Sequence, residues 1–229
     1  MGYTRQDILL KCKTALDDAK TFYQGDIVNY RGRTVDTNEL YTEVVAEYIC
    51  ENIIEFKNGI PEITRSNYKV NSHDGKYDET SNRLEEIIAM RMFVMSENVR
   101  EFPVIGKILD YQTPLKAKRA DVAGKIDLLT YNSKSNTVYI LELKEPDSME
   151  TMLRCVLEGY TYMRTINKRK LLDDFSIQPT ARLIASPFVF KGSIQEKEMK
   201  EDRPFLKKIM DLLESKPVYI TKLYDVEEA

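Results

Sequence analysis

Asp127, Glu142 and Lys144 are the residues whose types and spacing could do chemistry, and they lie in GKIDLLTYNSKSNTVYILELK, residues 124–144. Two apolar segments flank a polar cluster, Asn132-Ser133-Lys134-Ser135-Asn136, which predicts a β-hairpin. A charge inside an apolar strand is costly unless something pairs with it, so both acids need a reason to be there. Strand alternation puts Glu142 and Lys144 on one face and Leu141 and Leu143 on the other. With Ser133 to Asn136 as the loop, Tyr131 pairs with Val138, Leu129 with Ile140 and Asp127 with Glu142, and Lys125 faces Lys144. The two carboxylates then become cross-strand neighbours, roughly 5 Å apart at Cβ. A slip of one residue would send them to opposite faces. Paired carboxylates repel, and a divalent cation between them is the simplest relief. The pattern predicts a metal site.

The combination resembles the PD-(D/E)xK nuclease superfamily, the restriction-endonuclease-like fold, over residues 78 to 190. Asp127 matches the first acid, Glu142 the second and Lys144 the lysine, while Ile126 stands where the family name has its proline. The resemblance implies phosphodiester hydrolysis, with Mg²⁺ or Mn²⁺ held by Asp127 and Glu142 through oxygen ligands. It also implies a backbone carbonyl ligand from Leu143 and a further acid from the preceding helix, where Glu85 and Glu86 are the candidates. Glu86 is preferred, because Ala89 and Phe93 share its helical face and a small residue there lets the helix approach a sheet. Lys144 would orient the attacking water, help deprotonate it or stabilise the transition state; all three roles stay open, as does one metal against two. The implied partner is nucleic acid, with DNA preferred, and a homodimer is left open. Two alternatives stand beside a nuclease. One is an inactive nuclease-like module that binds nucleic acid or protein. The other is an unrelated α/β protein in which the three residues form a structural ion pair.

What the composition excludes sharpens this. The chain has 229 residues, 42% hydrophobic and 31% charged, and a net charge of −3, which fits a folded globular protein. The single histidine, His73, rules out zinc hydrolases and histidine-based nucleases, which need several. It lies in the polar stretch Asn71-Ser72-His73-Asp74-Gly75 and is expected to be a solvated loop residue. No nucleophile elbow, Walker loop or dinucleotide fingerprint occurs. Three cysteines, odd in number and far apart, argue against a disulfide framework. No apolar run approaches the roughly 20 residues of a membrane span, and the start lacks a secretory signal pattern. A cytoplasmic location without a membrane partner is expected.

These residues must be positioned by an α/β, restriction-endonuclease-like mixed central sheet flanked by helices. Residues 1–77 form a mostly helical extension packed on it, and residues 78–229 the nuclease-like core. Thr4 caps a helix predicted to run to Tyr23, and Asp36 or Thr37 a second one to Phe56. A short strand pair is expected between them, around Arg31-Gly32. A third helix starts between Glu79 and Asn82 and reaches Asn98, followed by a strand over 108–115 and the hairpin. Asp147 with Glu150 reads as a capping box for a helix to residue 166, with Met149, Met152, Leu153, Val156, Leu157 and Tyr160 as its apolar stripe. Arg154 and Glu158 on that helix read as solvated surface able to pair with each other. A strand over 180–190, a helix over 205–214 and a strand over 217–224 complete the pattern. Lys116, Lys118, Arg119 and Lys125 form a basic cluster before the hairpin.

Overall fold

The computed structural model describes residues 2–77, 80–98, 101–118, 123–221 and 224–228. Arg119 of the basic cluster and the expected helix start at Glu79 lie outside them. A six-stranded mixed sheet runs in chain order, β1 (Lys107–Pro114), β2 (Lys125–Asn132), β3 (Thr137–Leu143), β4 (Arg182–Phe190), β5 (Val218–Ile220) and β6 (Val226–Glu228). The first two pairings and the last are antiparallel; β3–β4 and β4–β5 are parallel. The hairpin register is the one the loop length demands. Leu129 pairs with Ile140, Tyr131 with Val138 and Asn132 with Thr137. At the start of β1, Gly106 has φ of 73°, and a Cβ there would lie 2.3 Å from the Tyr131 carbonyl oxygen, so a side chain would break the entry to this strand.

Helices cover both faces. On one side α4 (Leu84–Glu97) packs Ile88, Ala89, Met92 and Phe93 against Ile108, Tyr111, Leu128, Leu141 and Leu143. On the other, α5 (Met152–Thr165) lies over β3 and β4, with Met152, Leu153, Val156, Leu157 and Tyr160 buried together with Ile126, Leu129, Val138 and Ile140. The same core takes in α1 (Arg5–Leu16), α2 (Tyr41–Glu51), α3 (Ile53–Asn58), α6 (Lys168–Asp174) and α8 (Pro204–Leu212). A short α7 (Ile194–Lys200) precedes α8. Glu43 of α2 ties residues 1–77, the leader, to α8: its carboxylate accepts from the Phe205 and Leu206 N–H groups at 2.9 and 3.1 Å, and from the buried Arg203. A carboxylate at a helix N-terminus meets unpaired N–H groups and the positive pole together.

Several boundaries differ from the sequence pattern, each for a local reason. Thr4 and Asp7 make the reciprocal capping bonds of α1. The helix stops at Leu16 because Asp17 and Asp18 bring negative charge to its negative pole, and 3₁₀ turns follow at Ala19–Gln24 and Asp26–Asn29. Where a strand pair was expected near Arg31-Gly32, the described residues hold one isolated bridge, Arg33 to Leu40. Neither Asp36 nor Thr37 caps α2. Asp36 instead accepts from the Arg5 N–H at 2.9 Å, and Asn38 takes a φ of 58° before α2 begins. Asp147 does not cap α5. Thr151 does, accepting from the Arg154 N–H at 3.2 Å, while its own hydroxyl donates to the Val28 carbonyl at 2.5 Å. Met149 therefore precedes the helix and is exposed rather than part of the stripe.

His73 is not simply solvated. Its Nδ1 bonds Asp110 Oδ1 at 2.5 Å, and its ring stacks on Tyr111 at 4.3 Å. Asp110 is buried on β1, and an enclosed carboxylate needs a polar partner that only tertiary packing reveals.

Two substitutions test this packing. Leu153→Asp places an unpaired charge in a fully buried site and should destabilise the protein by about 4 kcal/mol or more in denaturant titration; equal stability would mean the α5 stripe is solvated. Thr151→Ala should cost about 1 kcal/mol or more from the lost cap, and an unchanged midpoint would show that the leader does not anchor α5.

Candidate functional site

Glu142 and Lys144 point to the α5 side of the sheet, as strand alternation from the buried Ile140 requires. The β2–β3 ladder runs from Asn132–Thr137 to Leu128–Leu141 and then opens. There the Asp127 carboxylate takes the place of main chain, Oδ2 accepting from the Leu143 N–H at 2.9 Å. The Leu143 peptide thus faces Asp127. On the opposite edge Gln112, with φ of 47°, sits beside Asp127 and donates Nε2–H to Oδ1 at 2.9 Å. A register shift between Ile108 and Asp110 brings β1 into this alignment; such irregularities re-aim side chains beside sites.

Lys144 is the hub. Its Nζ donates to Glu142 Oε1 at 2.7 Å and lies 2.9 Å from Glu150, 3.6 Å from Glu158 and 3.9 Å from Glu85. Only 6% of its side chain is exposed. Arg154 reaches the same carboxylates, 2.9 Å from Glu150 and 3.7 Å from Glu158. Glu158 accepts from the Tyr162 hydroxyl at 2.8 Å. Even so, Glu142 Oε2 is buried without a hydrogen bond, whereas Glu150 Oε2 and Glu158 Oε2 are met only by these ion pairs.

The electrostatics follow from this enclosure. Burial pushes Asp127 up to about 7, against the attraction of Lys144 and with help from Glu85. It is enclosed except where it meets the cleft. Burial also raises Glu142 well above the usual carboxylate range; Lys144 opposes this, and Asp127 and Glu158 add to it. For Lys144 burial disfavours the charge, yet Glu142, Glu158 and Glu85 together hold its pKa well above the ordinary value.

Asp127, Lys144, Glu85 and Glu150 line a cleft of about 620 Å³ between the start of α4 and the segment 144–150, while Glu142 and Glu158 are buried and outside its lining. Its described lining carries six carboxylates, Glu85, Glu86, Asp127, Glu145, Asp147 and Glu150, against two cations, Arg83 and Lys144. The structure brings Asp127, Glu142, Lys144 and the Leu143 peptide together. Of the two helix acids, it is Glu85 that turns to the hub, accepting from the Glu145 N–H at 3.3 Å, with its carboxyl raised mainly by burial. Glu86, the preferred one, pairs instead with Arg83 at 3.2 Å on the rim. The Ala89 face that favoured Glu86 packs on the sheet, whereas Glu85 lies 3.9 Å from Lys144. Glu158 is largely buried at the hub rather than solvated. Glu150, Glu158 and Gln112 complete the site; Glu150, Arg154 and Glu158 at i, i+4 and i+8 were the available signal for two of them. Lys125 is exposed and away from Lys144's buried position, and it pairs with Pro114 of β1.

Among the described residues no group of three or more His, Cys, Asp or Glu side chains has the convergence of a formed metal site. The acids converge on the Lys144 ammonium instead. No family model matches the chain, and no curated protein or solved structure matches it either.

Asp127 holds its proton more tightly when folded, at about 7, than the ordinary 3.8 of an unfolded chain. Its contribution to stability is therefore complete below about pH 4 and is lost as the pH rises through 7. With chelator present the melting temperature should fall across that window, and Asp127→Asn, which cannot ionise, should flatten the fall. Parallel profiles for the two proteins would contradict an enclosed carboxylate at this position.

Proposed function

We propose that the protein is a divalent-metal-dependent nuclease that hydrolyses phosphodiester bonds of nucleic acid, with Asp127, Glu142 and Lys144 as its reacting groups and Mg²⁺ or Mn²⁺ as cofactor. The observation that carries this is Glu142. One oxygen bonds Lys144, and the other, Oε2, is buried and accepts nothing. A carboxylate oxygen with no donor is a costly arrangement that a hard cation would relieve. The all-oxygen donor set suits Mg²⁺ or Mn²⁺ and not a thiolate- or imidazole-seeking metal. Glu142, Asp127 and the peptide edge of Leu143 would hold the ion, with Glu85 rather than Glu86 as the helix acid. When bound, such an ion lowers the pKa of a coordinated water and offsets charge developing on phosphate.

The chain's own groups supply the rest. Lys144 has three N–H donors and spends one in its bond to Glu142 Oε1, so another can meet a water or a phosphate oxygen entering the cleft. Glu150 and Glu158 hold the ammonium in place, and Glu142, Glu158 and Glu85 keep it charged. Gln112 and the Leu143 N–H fix both oxygens of Asp127. The acidic lining repels a bare phosphate, which makes activity without a cation unfavourable.

A second reading has its own support. Lys144 already lies within 3 Å of both Glu142 and Glu150 and offsets part of their charge. A nuclease-like module that binds without cutting would keep such a cluster for structure alone.

Calorimetric titration with Mn²⁺ should show binding that Asp127→Ala abolishes and that Glu85→Ala weakens more than Glu86→Ala does. Undiminished binding in Asp127→Ala would remove the proposed site. Against plasmid, single-stranded DNA and RNA, Lys144→Ala should cut about 10²-fold more slowly or worse. Lys144→Arg should not restore the rate, since a planar guanidinium cannot replace a compact ammonium. Equal rates would refute the role given to Lys144, and no cutting by wild type with either metal would favour the binding module.

A further inference from the structure

We infer that the cleft admits one strand of nucleic acid at a time, and that Leu84 and Met149 are the side chains that grip its unstacked bases. This rests on the nuclease reading for the identity of the polymer. Leu84 opens α4 on one wall, and Met149 lies in the segment 144–150 that makes the other. They are 49% and 67% exposed. Single exposed aliphatic residues are ordinary on a surface. Two large ones on the two walls of the same otherwise polar cleft are not, because each loses free energy to water with no packing in return.

Two further features point to a lone strand. The reacting groups are deep: the Lys144 and Glu142 side chains are only 6% and 4% exposed. The cleft volume, about 620 Å³, is in the range of small-ligand pockets. A duplex, whose major groove alone is about 12 Å across, would rest on the rim. Charge acts in the same direction. A duplex would bring two phosphate backbones to a lining of six carboxylates, whereas a lone strand brings one backbone and offers its bases to the apolar lips. Leu and Met offer apolar surface that the faces of unstacked bases can cover. One lip also carries an arginine that can meet a flanking phosphate: the cleft-lining Arg83 is 68% exposed in a surface pair with Glu86. A weak surface pair is readily exchanged for a phosphate.

The test is fluorescence anisotropy with one labelled oligonucleotide sequence, as DNA and as RNA, each single-stranded and as a blunt duplex. Ca²⁺ replaces Mg²⁺, so that binding is read without turnover. Wild type should bind the single strand about tenfold or more tightly than the duplex. Leu84→Ala/Met149→Ala should bring the two within about threefold. Leu10→Ala, a change at an exposed leucine of α1 outside this cleft, should leave the preference intact. Both altered positions are exposed, so folding is expected to survive and circular dichroism will check it. Duplex bound as tightly as single strand, no binding of either, or a preference that persists in the double variant would each overturn the inference. A parallel cleavage assay in Mn²⁺ separates the two claims. Cutting without strand preference sinks this inference and leaves the nuclease standing, while strand preference without cutting does the reverse.

Discussion

A lysine ammonium enclosed by carboxylates is the constraint around which this molecule is arranged. Taking an ion out of water costs several kcal/mol, and only close, well-placed counter-charges return it. Lys144 receives them from three directions: Glu142 at the end of β3, Glu150 and Glu158 from just before and within α5, and Glu85 from α4. Each must arrive within a few ångströms, so the strand register, the phase of α5 and the approach of α4 are coupled through one atom. The acids outnumber the cations, and Glu142 Oε2 remains buried without a hydrogen bond. A buried acceptor without a donor is a structural cost, and it is the feature on which the proposed cation rests.

The leader contributes by fixing α5. Val28 and Asn29 bond Thr151, Arg31 bonds the Met149 carbonyl, and Glu43 caps α8. The segment that carries Glu150 is therefore held from outside the sheet, and its position relative to Lys144 depends on residues more than a hundred positions earlier in the chain. Met149, displaced from the helix by the Thr151 cap, is left at the rim of the cleft. The opening of the β2–β3 ladder serves the same end. Asp127 would be an ordinary strand residue if the ladder continued, but with its carboxylate substituting for main chain it becomes both the last rung and a wall of the cleft.

The hairpin was legible because period-two alternation and a four-residue loop leave one register that buries Leu129, Val138 and Ile140 together. The α5 stripe was legible for the same kind of reason, with a period of 3.6. What escaped depends on partners distant in sequence. Glu158 looks like helix surface until β3 is laid beneath it. His73 looks like a loop residue until the buried Asp110 is found beside it. Helical face alone favoured Glu86, but the choice between the two acids depends on Lys144, which Glu85 reaches while Glu86 pairs with Arg83. Ser193 with Glu196 carried a capping signal for α7 that was readable and passed over. Capping at Thr151 was less visible, because its anchors, Val28 and Asn29, lie in the leader.

The central claim is that the unsatisfied oxygen of Glu142 and the carboxylate of Asp127 face a place for a hard cation. Anomalous scattering from crystals grown with Mn²⁺ measures this directly. The account predicts a peak within bonding distance, about 2.0–2.4 Å, of oxygens from both Asp127 and Glu142, with Lys144 remaining beside Glu142. A Mn²⁺ peak elsewhere in the molecule, or none at this position at millimolar metal, would contradict it.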